Sequence, residues 1–103
     1  MPTLFVTAPP EDAASIAERL VEERRAACVN RFPCRSTYRW DGEVHDEDEE
    51  ILLVKTTESG YEDAKERIAE LHPYDLPAIE RFDDSGVSAE FADWLDDCVA
   101  PTE

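Results

Sequence analysis

The chain has 103 residues, 26 of them Asp or Glu and 10 Lys or Arg, for a formal net charge of -16. That length suits one domain spanning residues 1–103, and 42% hydrophobic residues supply a core, which excludes a disordered chain. Such a charge repels phosphate backbones and anionic lipid heads, so neither nucleic acid nor a membrane is expected as a partner.

The basic set is lopsided, with eight Arg and only Lys55 and Lys65 as lysines. An acidic excess spread over every segment with scarce lysine suits a cytoplasm at molar salt, as in a haloarchaeal-like source. There the Debye length shrinks to about 3 Å and self-repulsion is screened. Cys28, Cys34 and Cys98 cannot all pair within one chain, and none shows C-x-x-C spacing. With no basic-then-apolar leader and no run of membrane-spanning length, a cytoplasmic location with reduced thiols is expected.

Thr3-Leu4-Phe5-Val6-Thr7 is a continuous apolar run and predicts a central strand. Pro9 and Pro10 open a helix with Glu11 and Asp12 in its first turn, Ala13, Ile16, Ala17, Leu20 and Val21 as its buried stripe, and Arg24 and Arg25 in its last turn. A second strand runs from Ala27 to Phe32, and Pro33 marks a bend or break. Ser36, Tyr38 and Trp40 share one face of the next extended stretch, which turns at Asp41-Gly42. The returning arm carries the polar run His45 to Glu50 and then Ile51-Leu52-Leu53-Val54, an apolar segment that should be covered on both faces. Ser59-Gly60-Tyr61-Glu62 fits a capping box for a second helix with Tyr61, Ala64, Ile68 and Leu71 inward, stopped at His72-Pro73. Pro77 to Phe82 reads as an edge strand, and Phe91, Trp94, Leu95 and Cys98 mark a C-terminal amphipathic helix.

The order strand, helix, strand, hairpin, strand, helix, strand is the α+β split-βαβ, ferredoxin-like arrangement (βαββαβ), here with a long central hairpin and an added C-terminal helix. The hairpin, residues 36–57, is longer than two covering helices can shelter. Its exposed edges and Trp40 call for pairing with another chain, hence a closed oligomer.

Few residues suit chemistry. The run Asp46-Glu47-Asp48-Glu49-Glu50 is not an EF-hand loop, because the sixth position from Asp46 is Ile51 rather than Gly; it reads as a solvated face. Cys28 and His72 are the soft and borderline donors, suited to copper or zinc; alternatively they are a small buried hydrophobe and a backbone-satisfied helix terminus. Lys55 either neutralises a carboxylate or binds an anion, and Tyr38, Trp40 and Tyr74 either line a ligand cleft or pack an interface. No G-x-S-x-G, phosphate loop, H-E-x-x-H or dinucleotide fingerprint is present, so no catalytic residue and no enzymatic activity are expected.

At Ala26-Ala27-Cys28-Val29-Asn30 the chain resembles the CutA family of divalent-cation tolerance proteins. Tyr38-x-Trp40-x-Gly42, Glu49 leading through Leu52-Leu53 to Lys55-Thr56, and His72-Pro73-Tyr74-Asp75-Leu76-Pro77 agree in order, as do the Thr7-Ala8-Pro9 opening and the Trp94-Leu95 ending. The resemblance implies a ferredoxin-like homotrimer with hairpins paired between subunits, acting without enzymatic activity in tolerance of copper and other divalent metals. It places Cys28, Asn30, Lys55, His72 and Tyr74 near intersubunit clefts, where Cys28 and His72 are the metal candidates and Asn30, Tyr38, Trp40, Lys55 and Tyr74 the ligand-contacting ones. No obligatory cofactor is implied, only copper or another divalent cation as ligand. A second implication, borrowed from the similar PII-type signalling proteins, is a small molecule in the same cleft. The chain departs from the family's pattern at Pro33-Cys34, where a Pro-Gly bend is usual, and at Asp75 and Ala78, where Glu often stands. Ala78 offers no carboxylate to a metal.

Overall fold

The computed structural model describes residues 1–101. Its elements run β1 (Pro2–Ala8), α1 (Pro10–Glu22), β2 (Cys28–Trp40), β3 (Glu43–Lys55), α2 (Tyr61–Leu71), β4 (Ile79–Asp83) and α3 (Ala89–Cys98). The four strands form one antiparallel sheet in the order β2-β3-β1-β4, so β1 is central and β4 is an edge, as the sequence predicts. Insertion of β3 between β1 and β2 is what splits the first βαβ unit.

One face of the sheet carries the core. Leu4, Val6 and Ala8 alternate inward on β1, Leu52 and Val54 oppose them on β3, and Ala13, Ile16, Ala17 and Leu20 of α1 with Ala64 and Ile68 of α2 close over them. Pro10 starts α1 without needing a hydrogen bond at that position. Val21 lies outside the expected stripe, at 42% exposure on the flank of α1. The helix also ends earlier than the basic pair suggests. Arg24 adopts a left-handed backbone (φ 59), and its guanidinium donates to the Cys98 and Asp97 carbonyls at the end of α3. Arg25 turns instead to Asp63 and Glu23, and Glu23 receives Arg67 as well, so α1 and α2 are tied by charge.

The apolar run Ile51–Val54 is covered on one side only. Leu52 and Val54 are buried while Ile51 and Leu53 stay half-buried, because α1 and α2 lie on the same face and the described residues supply no second layer on the other. Pro33 does not break the chain. It sits within β2 opposite Glu50, on the strand that forms the sheet's outer edge, where a missing N–H leaves no ladder bond unmade. The expected capping box is also absent. Helix α2 starts after Gly60, whose N–H is taken by the Thr57 hydroxyl at 3.0 Å, and no side chain caps the helix. A Cβ on Gly60 would come within 2.9 Å of Thr57 Oγ1 and 3.1 Å of Val99 Cγ1, so glycine is required by close approach.

Pairing of β2 with β3 runs unbroken from Cys28–Lys55 to Trp40–Glu43 across the Asp41-Gly42 turn, both of whose residues have positive φ. Thirteen residues per strand at about 3.3 Å each give roughly 43 Å, and the molecule's long axis is 45 Å. Since β1 pairs with β3 only between Glu50 and Lys55, the outer half of the hairpin projects past the helices.

Candidate functional site

The hairpin register decides which side chains meet. Strand residues alternate between faces, and the cross-strand pairs put Cys28, Asn30, Phe32, Cys34, Ser36, Tyr38 and Trp40 on the face opposite the helices. Lys55, Leu53, Ile51, Glu49, Glu47, His45 and Glu43 join them from β3.

The acidic run is divided by the same alternation. Asp46, Asp48 and Glu50 point to the helix-side face, where Arg35 bridges the first two and Arg31 holds the third at 2.9 Å. Glu47 and Glu49 point the other way, and tyrosine hydroxyls reach them instead of guanidinium groups. Tyr38 Oη donates to Glu47 at 3.0 Å, and Tyr74 Oη donates to Glu49 at 3.1 Å. Glu49 is 5% exposed. Burial first, and the Glu49 carboxylate second, push the Tyr74 hydroxyl well above the usual tyrosine range. Tyr38 is raised as well, chiefly by its bond to Glu47. Its ring stacks on His45, with centroids 5.4 Å apart.

These groups border a cavity of about 380 Å³ lined by Thr7, Ser36, Thr37, Tyr38, Glu49 and Ala78. Ala78 contributes only a methyl to this wall. Cys34, opposite Glu49 in the register, lies 3.8 Å from the Ser36 hydroxyl. The result is a pocket with a buried carboxylate, hydroxyls and one aromatic wall.

His72 stands behind this pocket, not in it. The Tyr74 N–H donates to its Nδ1 at 3.2 Å, which leaves the proton on Nε2, and Nε2–H donates to the Thr7 carbonyl at 2.7 Å. Both ring nitrogens are thus spent on backbone, in a side chain only 7% exposed. The imidazole fixes the turn that carries Tyr74.

The predicted site residues fall into two groups. Tyr38, Tyr74 and His72 meet around Glu49 and Thr7. Cys28, Asn30 and Lys55 meet at the other end of the same face, where Lys55 Nζ donates to Asn30 Oδ1 at 3.3 Å. Trp40 lies beyond both, 53% exposed near the hairpin tip. Cys28 aligns through Lys55 with Thr3, and His72 contacts Thr7, so the two metal candidates stand four β1 residues apart, roughly 13 Å. One chain therefore does not bring Cys28 and His72 together around an ion, because they are anchored at opposite ends of the sheet. Among the described residues no cluster of three or more His, Cys, Asp or Glu is arranged to hold a metal ion. Glu47 and Glu49 are the site residues that the reading of the acidic run as a solvated face missed. The two-residue turn at Asp41-Gly42 sets the pairing and already puts both on the Tyr38 face.

An antiparallel four-stranded sheet with α1 and α2 on one face is an α+β architecture that this chain shares with solved structures. The fold superposes on the PII-like protein CutA from Nostoc sp. PCC 7120 with a TM-score of 0.95 and 38% identity, covering 99% of this chain and 100% of that one. It superposes on CutA1 from Pyrococcus horikoshii with a TM-score of 0.93 and 38% identity over 97% of this chain and 99% of that one. In sequence it is 47% identical over 94 residues to the divalent-cation tolerance protein CutA of Thermus thermophilus, covering 89% of this chain and 91% of that protein. Residues 3–98 match the family profile of the CutA1 divalent ion tolerance protein. The chain belongs to the CutA1 divalent ion tolerance family.

Proposed function

We infer that this protein is a non-enzymatic homotrimer that serves tolerance of divalent metal ions by taking a divalent cation, copper or another, into the Glu49 pocket between subunits. The observation that carries this reading is the division of the acidic run, which leaves Glu47 and Glu49 on the pocket face without a guanidinium partner. A buried carboxylate flanked by hydroxyl oxygens and a cysteine attracts a cation, and the donor set of a single chain is too small to close around one. A neighbouring chain completes it. The half-buried Ile51 and Leu53 and the projecting hairpin are the surfaces that chain would cover. No helix among the described residues is long and apolar enough to cross a membrane. The acidic, arginine-biased surface fits a salt-rich cytoplasm.

Assembly is checked by light scattering after size exclusion in molar salt, which should return three times the 11.7 kDa chain mass. Metal binding is checked by Cu(II) and Zn(II) titration in the same salt, where diffuse attraction to surface acids is screened and a coordination site persists. Glu49→Gln should weaken the saturable site at least about tenfold. Equal binding by wild type and Glu49→Gln removes the pocket from metal chemistry. His72→Ala and Cys28→Ser test in parallel whether the two residues meet across chains; unchanged affinity in both makes them structural for the divalent ion.

A second reading is favoured by the cavity itself. Its volume, about 380 Å³, lies within the range of small-molecule sites, roughly 300–1,000 Å³, and the Nostoc relative is a PII-like protein. In this reading a metabolite occupies the cleft and protein partners respond to it. A thermal-shift screen of metabolites beside the metal titration separates the two.

A further inference from the structure

The last helix is held differently from the other two. Helix α1 buries Ala13, Ile16, Ala17 and Leu20 and α2 buries Ala64 and Ile68, all in the main core, whereas α3 buries Leu95 alone. Leu95 and Val99, just past the helix, join Ala27 in a second, small cluster, with Met1, Phe91 and Cys98 around it. Charge is also adverse at the end of α3. Asp96 and Asp97 stand in the last turn, which holds no basic residue, where the helix dipole is negative. The missing cation comes from another element. Arg24 adopts a left-handed backbone (φ 59), a conformation that favours glycine, and donates Nε to the Cys98 carbonyl at 3.1 Å and Nη2 to the Asp97 carbonyl at 2.8 Å. The Ala100 N–H returns to the Arg24 carbonyl at 2.8 Å. Beside this latch lies a cavity of about 680 Å³ bordered by Arg24, Thr57, Ser59, Asp97, Val99 and Ala100, so packing does not reinforce the contact from that side.

We propose that α3 is a strap, hinged at residues 85–88 and latched by Arg24, that opens as a unit while the sheet, α1 and α2 stay folded. The fixed end is plain. Asp84 is pinned to Met1, its carboxylate accepting from the terminal ammonium at 2.6 Å and its N–H donating to the Met1 carbonyl at 3.5 Å. Residues 85–88 are then exposed throughout, and a Cβ on Gly86 would meet nothing within 4 Å. Units with few buried apolar contacts open locally at far lower cost than the whole molecule. Lifting α3 breaks the Arg24 latch and the small cluster and leaves intact the main core, which its residues do not enter. It uncovers Ala27, whose N–H bonds the Lys55 carbonyl at 2.9 Å, and with it the end of the sheet where Lys55 meets Asn30. The strap is a gate on that end. It lies away from the Glu49 pocket, and neither metal nor metabolite enters its operation.

The test is hydrogen exchange of the full chain in molar potassium chloride, read by mass spectrometry on peptides from each element. In wild type, α3 amides should exchange at least about tenfold faster than those of α1 and α2. Arg24→Gly is the decisive variant, since glycine takes φ 59 without strain and only the guanidinium is lost. It should speed α3 exchange by at least about tenfold more, the factor expected from two hydrogen bonds of a charged donor, and leave α1 and α2 as they were. Cys98, partly exposed at the end of α3, gives a second readout. Its alkylation should quicken in Arg24→Gly, while Cys34 on the hairpin keeps its rate. Leu95→Ala should loosen α3 in the same selective way through the small cluster, with the backbone at Arg24 untouched. Exchange in α3 as slow as in α1, no change in α3 on loss of the guanidinium, or equal acceleration of every element in both variants would overturn the strap.

Discussion

The two halves of the β2–β3 hairpin share one register and one pleat, yet they are stabilised by different means. In the inner half, Leu52 and Val54 are sealed beneath α1 and α2 and face Val6 and Leu4 across the sheet. In the outer half, Trp40 and Val44 are 53% and 63% exposed, and side-chain links are ion pairs such as Arg35 to Asp46 and Asp48 or the Tyr38–His45 stack. A two-stranded ribbon alone is marginal in water, and exposed ion pairs are worth at most about 1 kcal/mol each. Backbone pairing thus continues where the chain's own hydrophobic support has stopped. Within this chain the outer half is held by backbone pairing and exposed side-chain links alone.

The sharpest way to break this contrast is a pair of truncations. Leu52→Ala opens a cavity in a fully buried position and should cost about 2–5 kcal/mol in chemical denaturation. Trp40→Ala should leave the stability of the isolated chain within about 0.5 kcal/mol and act on assembly instead, as a mass that falls on dilution. Equal losses in both would erase the distinction between the halves.

Salt should come next in size. With 26 acidic against 10 basic side chains, raising potassium chloride from low to molar concentration should lift Tm by roughly 10 °C, near 2 kcal/mol for a domain of this size. A flat response would mean that self-repulsion is not a governing cost, and that the acidic surface is no salt adaptation.

A smaller effect sharpens the pocket side of the hairpin. Ultraviolet titration should show Tyr74 ionising well above an ordinary tyrosine, with Glu49→Gln bringing it part of the way back and Tyr74→Phe assigning the signal. The unfolded chain ionises first, so the stabilisation is intact below about pH 10 and erodes above it. A normal titration would place Tyr74 in open solvent.

The smallest effect lies on the helix side. Glu23 is held down to about 2, first by its hydrogen bond from Arg67, with burial opposing and Arg25 and Arg19 assisting. A depressed carboxyl stabilises the fold above its unfolded value of about 4.5 and loses that contribution as pH falls toward 2. Glu23→Gln should flatten the acid limb of the stability curve over that window. The network is only partly buried and remains open to solvent, so the change will be modest and will shrink with salt. An unaltered acid limb would remove the α1–α2 charge tie from the account.

Much of the fold was legible because local signals agreed with the global arrangement. Pro9-Pro10 started α1, His72-Pro73 ended α2, and Asp41-Gly42 placed the hairpin turn. Pro33 was misleading because its effect depends on whether its strand is an edge, which is a property of strand order and not of the residue. Ser59 fitted a capping box that does not form: α2 starts uncapped at Gly60, whose N–H goes to the Thr57 hydroxyl and which has no room for a Cβ beside Thr57 and Val99. The pocket was half legible. Hairpin arithmetic puts Tyr38, Glu47 and Glu49 on one face, but burial of Glu49 needs Tyr74, delivered by a distant turn that His72 pins to β1. No periodicity reports such a contact.

Pro33 has one more effect, on how any further strand could align with the free edge of β2. The outer rim of β2 offers carbonyls and amide hydrogens to any strand that comes alongside, except at Pro33, whose ring presents carbon where a hydrogen would be. The rim is therefore notched rather than uniform. A strand sliding along it finds one step with nothing to accept from, and the alignment that leaves this step unused loses least. A single imino acid so converts a sticky margin into a graduated one, which favours one docking position over its neighbours a residue or two away.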